Sequence, residues 1–296
     1  GRMNTNTSMV TEFLLVGFSH LADLQGLLFS VFLTIYLLTV AGNFLIVVLV
    51  STNAALQSPM YFFLRVLSTL EMGYTSVTVP LLLHHLLTGE CHISRSGCAL
   101  HTFFFLFFGA TECCLLAAMA YDRYAAICEP LRYPLLLSHR IGLRGLWVLV
   151  GWGHLFLFPL PFCGPMHSPH FFVRCACPAL VLWGHLVTWP LCPFGLILGS
   201  YGRILVTIFW IPSAVGRRKA FSTCSSHLIV VSLFYGTAIF IYIRPKASYD
   251  PITDTLVSLF YAVVTPILNP IIYSLRNTEV KAALKRTMQK MVPMEI

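Results

Sequence analysis

The sequence predicts an all-α fold: a seven-transmembrane helix bundle followed by a short amphipathic C-terminal helix. Three observations carry that prediction. Of 296 residues, 57% are hydrophobic and only 10% are charged, against about 25% charged in a soluble domain; the mean hydropathy is +0.79. Seven apolar stretches, at 26–50, 60–86, 97–127, 145–162, 186–210, 220–243 and 252–274, reach the roughly 17–25 residues that a helix needs to cross about 30 Å of hydrocarbon. Lys and Arg then divide unequally between the two sides. With the C-terminus in the cytosol, only Arg2, Arg95, Arg174, Arg244 and Lys246 of the 19 basic residues lie outside, which satisfies the positive-inside rule. The net charge of +8 is therefore a cytosolic collar facing anionic lipid rather than a nucleic-acid surface. An ordinary cytosolic enzyme, a disordered chain and a small disulfide-stapled domain are excluded. The ten cysteines are too few, and too often inside apolar runs, for a disulfide framework.

Residues 1–25 form an extracellular N-terminal tail, in which Asn6-Thr7-Ser8 is a glycosylation sequon. Thr11 to Phe18 is too short an apolar run for a cleavable signal peptide, so the first span is expected to direct insertion. Residues 26–274 form the membrane domain. Runs this long and unbroken mean helices rather than barrel strands, and the lack of internal repeats argues against a transporter built from duplicated halves. Residues 275–296 form a cytosolic tail. There Val280, Leu284, Met288 and Met291 alternate with Lys281, Lys285, Arg286 and Lys290, the pattern of an amphipathic helix lying on the inner leaflet. The expected location is the plasma membrane, multi-pass, with the N-terminus outside.

Charged groups inside a span are costly, so they carry information. Glu71 lies about 17 Å from the cytosolic end of its span at 1.5 Å per residue. Glu112 lies near the middle of the long third span. Two buried carboxylates at one depth share a proton or hold a cation, unless they face different helices and are each neutral. Asn43 is expected to bridge helices. Pro270 frees a carbonyl one turn back, and its neighbour Asn269 is the expected replacement partner, making a hinge in span seven. His84, His85, Cys91 and His92 gather at the outer end of span two. Such residues suit a transition metal, but a solvated loop cluster is the preferred reading, and no enzyme is expected.

At Met119-Ala120-Tyr121-Asp122-Arg123-Tyr124, the inner end of span three, the chain resembles a rhodopsin-type (class A) G protein-coupled receptor, specifically an odorant (olfactory) receptor. The resemblance runs almost end to end. Gly42-Asn43 stands in span one, Pro59-Met60-Tyr61-Phe62-Phe63-Leu64 opens span two, and Cys128 is followed by Pro130-Leu131-Arg132-Tyr133-Pro134. Ser200-Tyr201 closes span five, Lys219-Ala220-Phe221-Ser222-Thr223-Cys224-Ser225-Ser226-His227 opens span six, and Pro266-Ile267-Leu268-Asn269-Pro270-Ile271-Ile272-Tyr273 ends span seven. One region departs from the family. After His170-Phe171-Phe172 come Val173-Arg174 with Cys175 and Cys177, and Ser200-Tyr201 is reached about three helical turns too soon. With Pro190 and Pro193 following, the second extracellular loop, the upper fifth helix, or both are expected to be abnormal.

The resemblance implies a volatile small-molecule odorant, a stimulatory (olfactory-type) heterotrimeric G protein and cyclic AMP downstream, with membrane lipid around the bundle and no nucleic acid. Its alternative is a degenerate paralogue that does not signal. Span seven has no lysine for a retinal Schiff base, and Cys98 to Ala110 has no carboxylate to hold an amine. Phe103 to Phe108 suit an uncharged, mostly apolar ligand. The pocket is expected in the outer half of the bundle, from Phe105, Leu106, Gly109 and Ala110 on span three, with Ala238, Ile239, Tyr242, Leu259 and Ala262 added by the resemblance. It implies a switch of Asp122, Arg123, Tyr124, Tyr201, His227, Asn269, Pro270 and Tyr273, with Ile127, Leu131, Arg132, Lys219 and His227 lining the mouth of the G protein cleft. It also implies a sodium ion at Glu71 and Glu112, with Asn43 and Asn269 adjoining, and no other cofactor. A disulfide from Cys98 to Cys175 is expected, with Cys177 as the fallback partner; Cys163 then pairs with the leftover cysteine or stays free. Cys113, Cys114, Cys128 and Cys224 should be reduced.

Overall fold

Long apolar runs leave the backbone one way to satisfy its own polar groups, and the chain takes it. The computed structural model describes residues 12–15, 24–88, 91–133, 167–168, 179–243, 263–276 and 278–291. The helices are α1 (Gln25–Thr52), α2 (Pro59–Thr88), α3 (Arg95–Cys128), α4 (Ala179–Trp210), α5 (Ala214–Ile243), α6 (Thr265–Arg276) and α7 (Thr278–Met291). Five of them, α1 to α5, contain a stretch long and apolar enough to cross a membrane. The expected fourth span at 145–162 and the outer part of the seventh lie outside the described residues.

The surface of α1 shows which solvent this bundle is built for. Leu27, Leu37, Leu38 and Phe44 are exposed. In water they would form one large apolar patch; in lipid they face their own kind of solvent. The core begins on the opposite side. Ile46 and Val50 of α1 meet Leu56, Tyr61 and Leu64 around the start of α2, together with Val280 and Ala283 of α7. The last helix is thus seated on the first two, and Tyr61 Oη donates to Glu279 Oε2 at 2.6 Å. Lys281, Lys285 and Arg286 face outward, so its charged face remains free for lipid phosphates. A second cluster joins α2 to α3 through Phe63, Leu67, Leu115 and Met119. The largest joins α3, α4 and α5 through Leu116, Ala120, Ile197, Tyr201, Ile204, Val230 and Phe234.

The structure answers the question raised by the early arrival of Ser200-Tyr201. Helix α4, which corresponds to span five, begins at Ala179, seven residues before the expected start at 186, and runs unbroken past Pro190 and Pro193 to Trp210. At 32 residues it is about 48 Å long. The fifth helix therefore reaches full spanning length in spite of the early arrival of Ser200-Tyr201. Neither proline ends the helix.

A small sheet was not foreseen. Strand β1 (Glu12–Leu15) lies between β2 (Cys91–Ser94) and β3 (His167–Ser168). It pairs antiparallel with β2 and parallel with β3. The segment read as too short for a signal peptide thus serves as the central strand of a three-part tie.

Candidate functional site

Four helices converge on a polar centre. Pro270 has no N–H, so the carbonyl of Pro266 loses its helical donor. The replacement is not the adjacent Asn269, as expected, but Asn43 of α1, whose Nδ2 donates to Pro266 O at 3.2 Å and to Thr39 O at 3.0 Å. Its neighbour Gly42 lies where α1 passes Pro270, and a Cβ there would stand in ordinary contact with the proline ring at 3.5 Å. Asn269 is committed elsewhere, since its Nδ2 donates to Glu71 Oε1. The carboxyl of Glu112 meets that of Glu71, so the pair faces one point rather than two different helices. Both are buried, Glu71 at 2% and Glu112 at 6% exposure. Around them Asn43 Oδ1, Glu112 Oε1, Thr265 Oγ1 and Asn269 Oδ1 have no partner. A buried group left so is costly, and four unpartnered oxygens are a donor set suited to a hard cation or to water.

The end of the bundle that carries Arg123 is a second assembly. Arg123 pairs with Asp122, and the other oxygen of Asp122 accepts from Tyr133 Oη at 2.8 Å. Burial first, then the Asp122 carboxylate, pushes the Tyr133 phenol up, so it remains a donor at physiological pH. Sequence reading missed Tyr133 as a partner of Asp122, although the Pro130 to Pro134 motif contained it. Span six offers Arg123 no carboxylate, because α5 contains neither Asp nor Glu. Its contribution is His227, which does not line the mouth of the cleft as expected. It is buried at 2% exposure, and a 2.7 Å hydrogen bond joins its Nδ1 to Tyr201 Oη, with the two rings stacked. A residue two helical turns past Lys219 is carried inside the bundle. Tyr124 and Ile127 pack on the same core, Arg132 is exposed, and Leu131 is 94% exposed. Lys219 and Tyr273 are placed by their helices alone. Pro270 is buried.

The outer half is looser. Phe105 lies 5.5 Å from Tyr74, ring to ring, and Phe108 presses on α2 where Gly73 leaves room, since a Cβ at Gly73 would stand 2.6 Å from its ring. Gly109 and Ala110 are half-buried, and a Cβ added at Gly109 would meet nothing within 4 Å. Ala238 is half-buried and Ile239 exposed. Leu106 and Tyr242 are placed only by their helices; Leu259, Ala262, Cys175, Cys177, Cys163 and Asn6 lie outside the described residues, and Cys98 is placed by the first turn of α3. Cys113, Cys114, Cys128 and Cys224 carry free thiols. Among the described side chains, no three His, Cys, Asp or Glu groups gather as metal ligands.

A sequence profile described as olfactory receptor matches residues 32–291. The chain is 79% identical to olfactory receptor 10C1 of Homo sapiens over 312 positions, covering 99% of this chain and 100% of the relative. It is 50% identical to olfactory receptor 10A4 of Homo sapiens, covering 96% of each, and 48% identical to olfactory receptor 10A7 of Homo sapiens, covering 97% and 96%. The first alignment spans 312 positions while this chain has 296 residues, so at least 16 positions of that relative have no counterpart here.

Proposed function

The chain belongs to the olfactory receptor family of rhodopsin-like G protein-coupled receptors, and from that premise we propose that it binds a small, mostly apolar, uncharged odorant and activates a stimulatory G protein to raise cyclic AMP. Members of the family are multi-pass membrane proteins and not enzymes. The observation that carries the reading is the pair of closed contacts at the cytosolic end, Arg123–Asp122–Tyr133 and Tyr201–His227. Together they describe a resting state with its parts in place. The odorant enters the outer half beside Gly109, where a side chain would meet open space. Binding there favours an arrangement in which α5 swings outward. That motion takes His227 from Tyr201, and Tyr201 and Tyr273 then turn inward. As with any ligand-driven switch, the shift is bounded by the ligand's differential affinity for the two states. The helix of the G protein enters beside Arg123, with Leu131 at the rim. The N-terminus is extracellular, with Asn6 glycosylated and Cys98 paired to Cys175, and the basic collar is cytosolic.

The polar centre supports a sodium ion held by Glu71 and Glu112, with Asn43 and Asn269 adjoining. Compaction of that cavity on activation would expel the ion, so sodium favours the resting state.

The competing reading, a non-signalling paralogue, rests on how soon Ser200-Tyr201 follows His170-Phe171-Phe172. The completeness of α4 and of its contacts with α3 counts against it. Arg123→Ala, at surface levels matched to the unaltered receptor and with cyclic AMP as readout, decides the mechanism. Loss of the odorant response is expected, and a retained response overturns it. An unaltered receptor that never reaches the surface would favour the paralogue.

A further inference from the structure

The turn between α4 and α5 carries charge that its own helices do not balance. Residues 179–243 contain no Asp or Glu, yet they include Arg203, Arg217, Arg218 and Lys219. Among the described residues the ion pair is Arg123 with Asp122, so the exposed Arg217 and Arg218 have no carboxylate partner there. Arg217 is held in place all the same. Its Nη1 donates to the carbonyl of Ile211 at 3.0 Å, at the C-terminal end of α4 where the helix supplies no donor. That bond spans the turn, whose own backbone is tied by Ile211 N to Ile208 O at 3.2 Å and by Gly216 N to Ser213 Oγ at 3.3 Å. Large apolar groups stand beside these cations. Phe209 and Trp210, the last two residues of α4, are 81% and 82% exposed, and Val215 and Phe221 of α5 are exposed as well. Val215 and Arg218 are three apart on α5, and Arg217 and Phe221 are four apart, so each cation shares a face with an apolar side chain. An indole at a helix end beside cations is the arrangement of a membrane–water boundary, with the ring in lipid and its N–H at the level of the headgroups.

We propose that the turn between α4 and α5 is a site for one anionic phospholipid of the bilayer, its phosphate held by Arg217 and Arg218 and its chains lying against Trp210 and Val215. Two arginines suit this task, because a planar guanidinium matches a pair of phosphate oxygens. A soluble phosphate would satisfy the cations and leave the rings in water, whereas a lipid covers both. The bound lipid bridges the end of one span and the start of the next, across the joint already closed by Arg217 and Ile211. The inference rests on the multi-pass membrane reading alone and needs neither the odorant nor the G protein.

Native mass spectrometry of the receptor released from phosphatidylcholine nanodiscs that contain a small share of phosphatidylinositol bisphosphate tests the site. One tightly retained anionic lipid per chain is expected. Arg217→Gln and Arg218→Gln should each weaken its retention roughly fivefold, the size of one basic contact at an anionic surface. Trp210→Ala should weaken it too, and Lys285→Gln on α7 should leave it in place. No retained lipid, or retention that follows Lys285 and ignores both arginines, overturns the site. Inositol trisphosphate offers the same phosphates without chains and should fail to compete. Equal competition would make the turn a site for soluble phosphate and overturn the lipid. Should the variants not fold, a photoactivatable phosphatidylinositol bisphosphate on the unaltered receptor gives a separate answer. Cross-links within residues 209–221 are expected, and cross-links confined to other segments overturn the proposal.

Discussion

The two ends of this bundle are built differently. At the end that carries Arg123, Asp122 uses one oxygen on Arg123 and the other on Tyr133, and Tyr201 is bound to His227. Beyond the polar centre, by contrast, Gly109 is half-buried with room for a side chain, and Phe105 and Phe108 lean on α2. Between the two lies a layer of buried oxygens without partners. Hydrogen bonds are committed at one end and space is left beside Gly109 at the other. The difference also says where substitutions should be tolerated: space forgives small changes in the outer half, and committed hydrogen bonds punish them further in.

Three experiments press on that contrast, taken from the largest effect to the smallest. Gly109→Trp should abolish the odorant response with surface expression intact, because an indole would occupy the space that the ligand needs. Gly109→Ala should leave stability within about 0.5 kcal/mol of the unaltered protein. An unchanged dose-response curve for Gly109→Trp would move the pocket elsewhere. Asn43→Leu strips the Pro266 carbonyl of its donor in a dry setting and should cost about 1–3 kcal/mol of stability, read as a lower melting temperature in detergent. A neutral result would show that α6 closes the gap without α1. Last, melting in sodium chloride should exceed that in choline chloride by an amount that grows with concentration, as mass action requires. The gain should vanish in Glu112→Gln. Equal melting temperatures would leave the two carboxyls sharing a proton.

What was legible in the sequence was whatever depends on local pattern or on composition. Helices α1, α2 and α3 start and stop within about two residues of the expected spans because apolar length sets them. Helix α5 ends where expected but starts at Ala214, six residues early, through the polar stretch Gly216 to Lys219. The residues of the cytosolic latch were named from short motifs. Their partners were harder to read. Asn43 and Pro266 are 223 positions apart, and no rule of spacing chooses Asn43 over the adjacent Asn269 for a carbonyl freed by Pro270. Packing chooses, because Glu71 takes Asn269 first. His227 was expected at the mouth of a cleft and is buried instead, since a motif does not reveal which way a helix is rotated. Helix α4 was expected to suffer from its shortened approach and its prolines, yet it begins at Ala179 and runs unbroken through Pro190 and Pro193 to Trp210. The sheet escaped notice because each strand is four residues or fewer, below the length at which alternation is informative.

The seat of α7 on α1 and α2 carries a consequence for the birth of the molecule. The surface that receives Val280 and Ala283 is made by residues 46–64, which leave the ribosome more than two hundred residues earlier. Until the final stretch of chain is translated, that greasy notch at the inner end of the first two helices has no cover, and Tyr61 awaits Glu279. The nascent receptor thus carries an unfinished seam through nearly the whole of its synthesis, one that attendant chaperones can hold and quality-control machinery can inspect. A stop codon just before Thr278 would leave every membrane-spanning segment intact and the seam permanently open. The cell would then meet a fully inserted protein that still reads as incomplete.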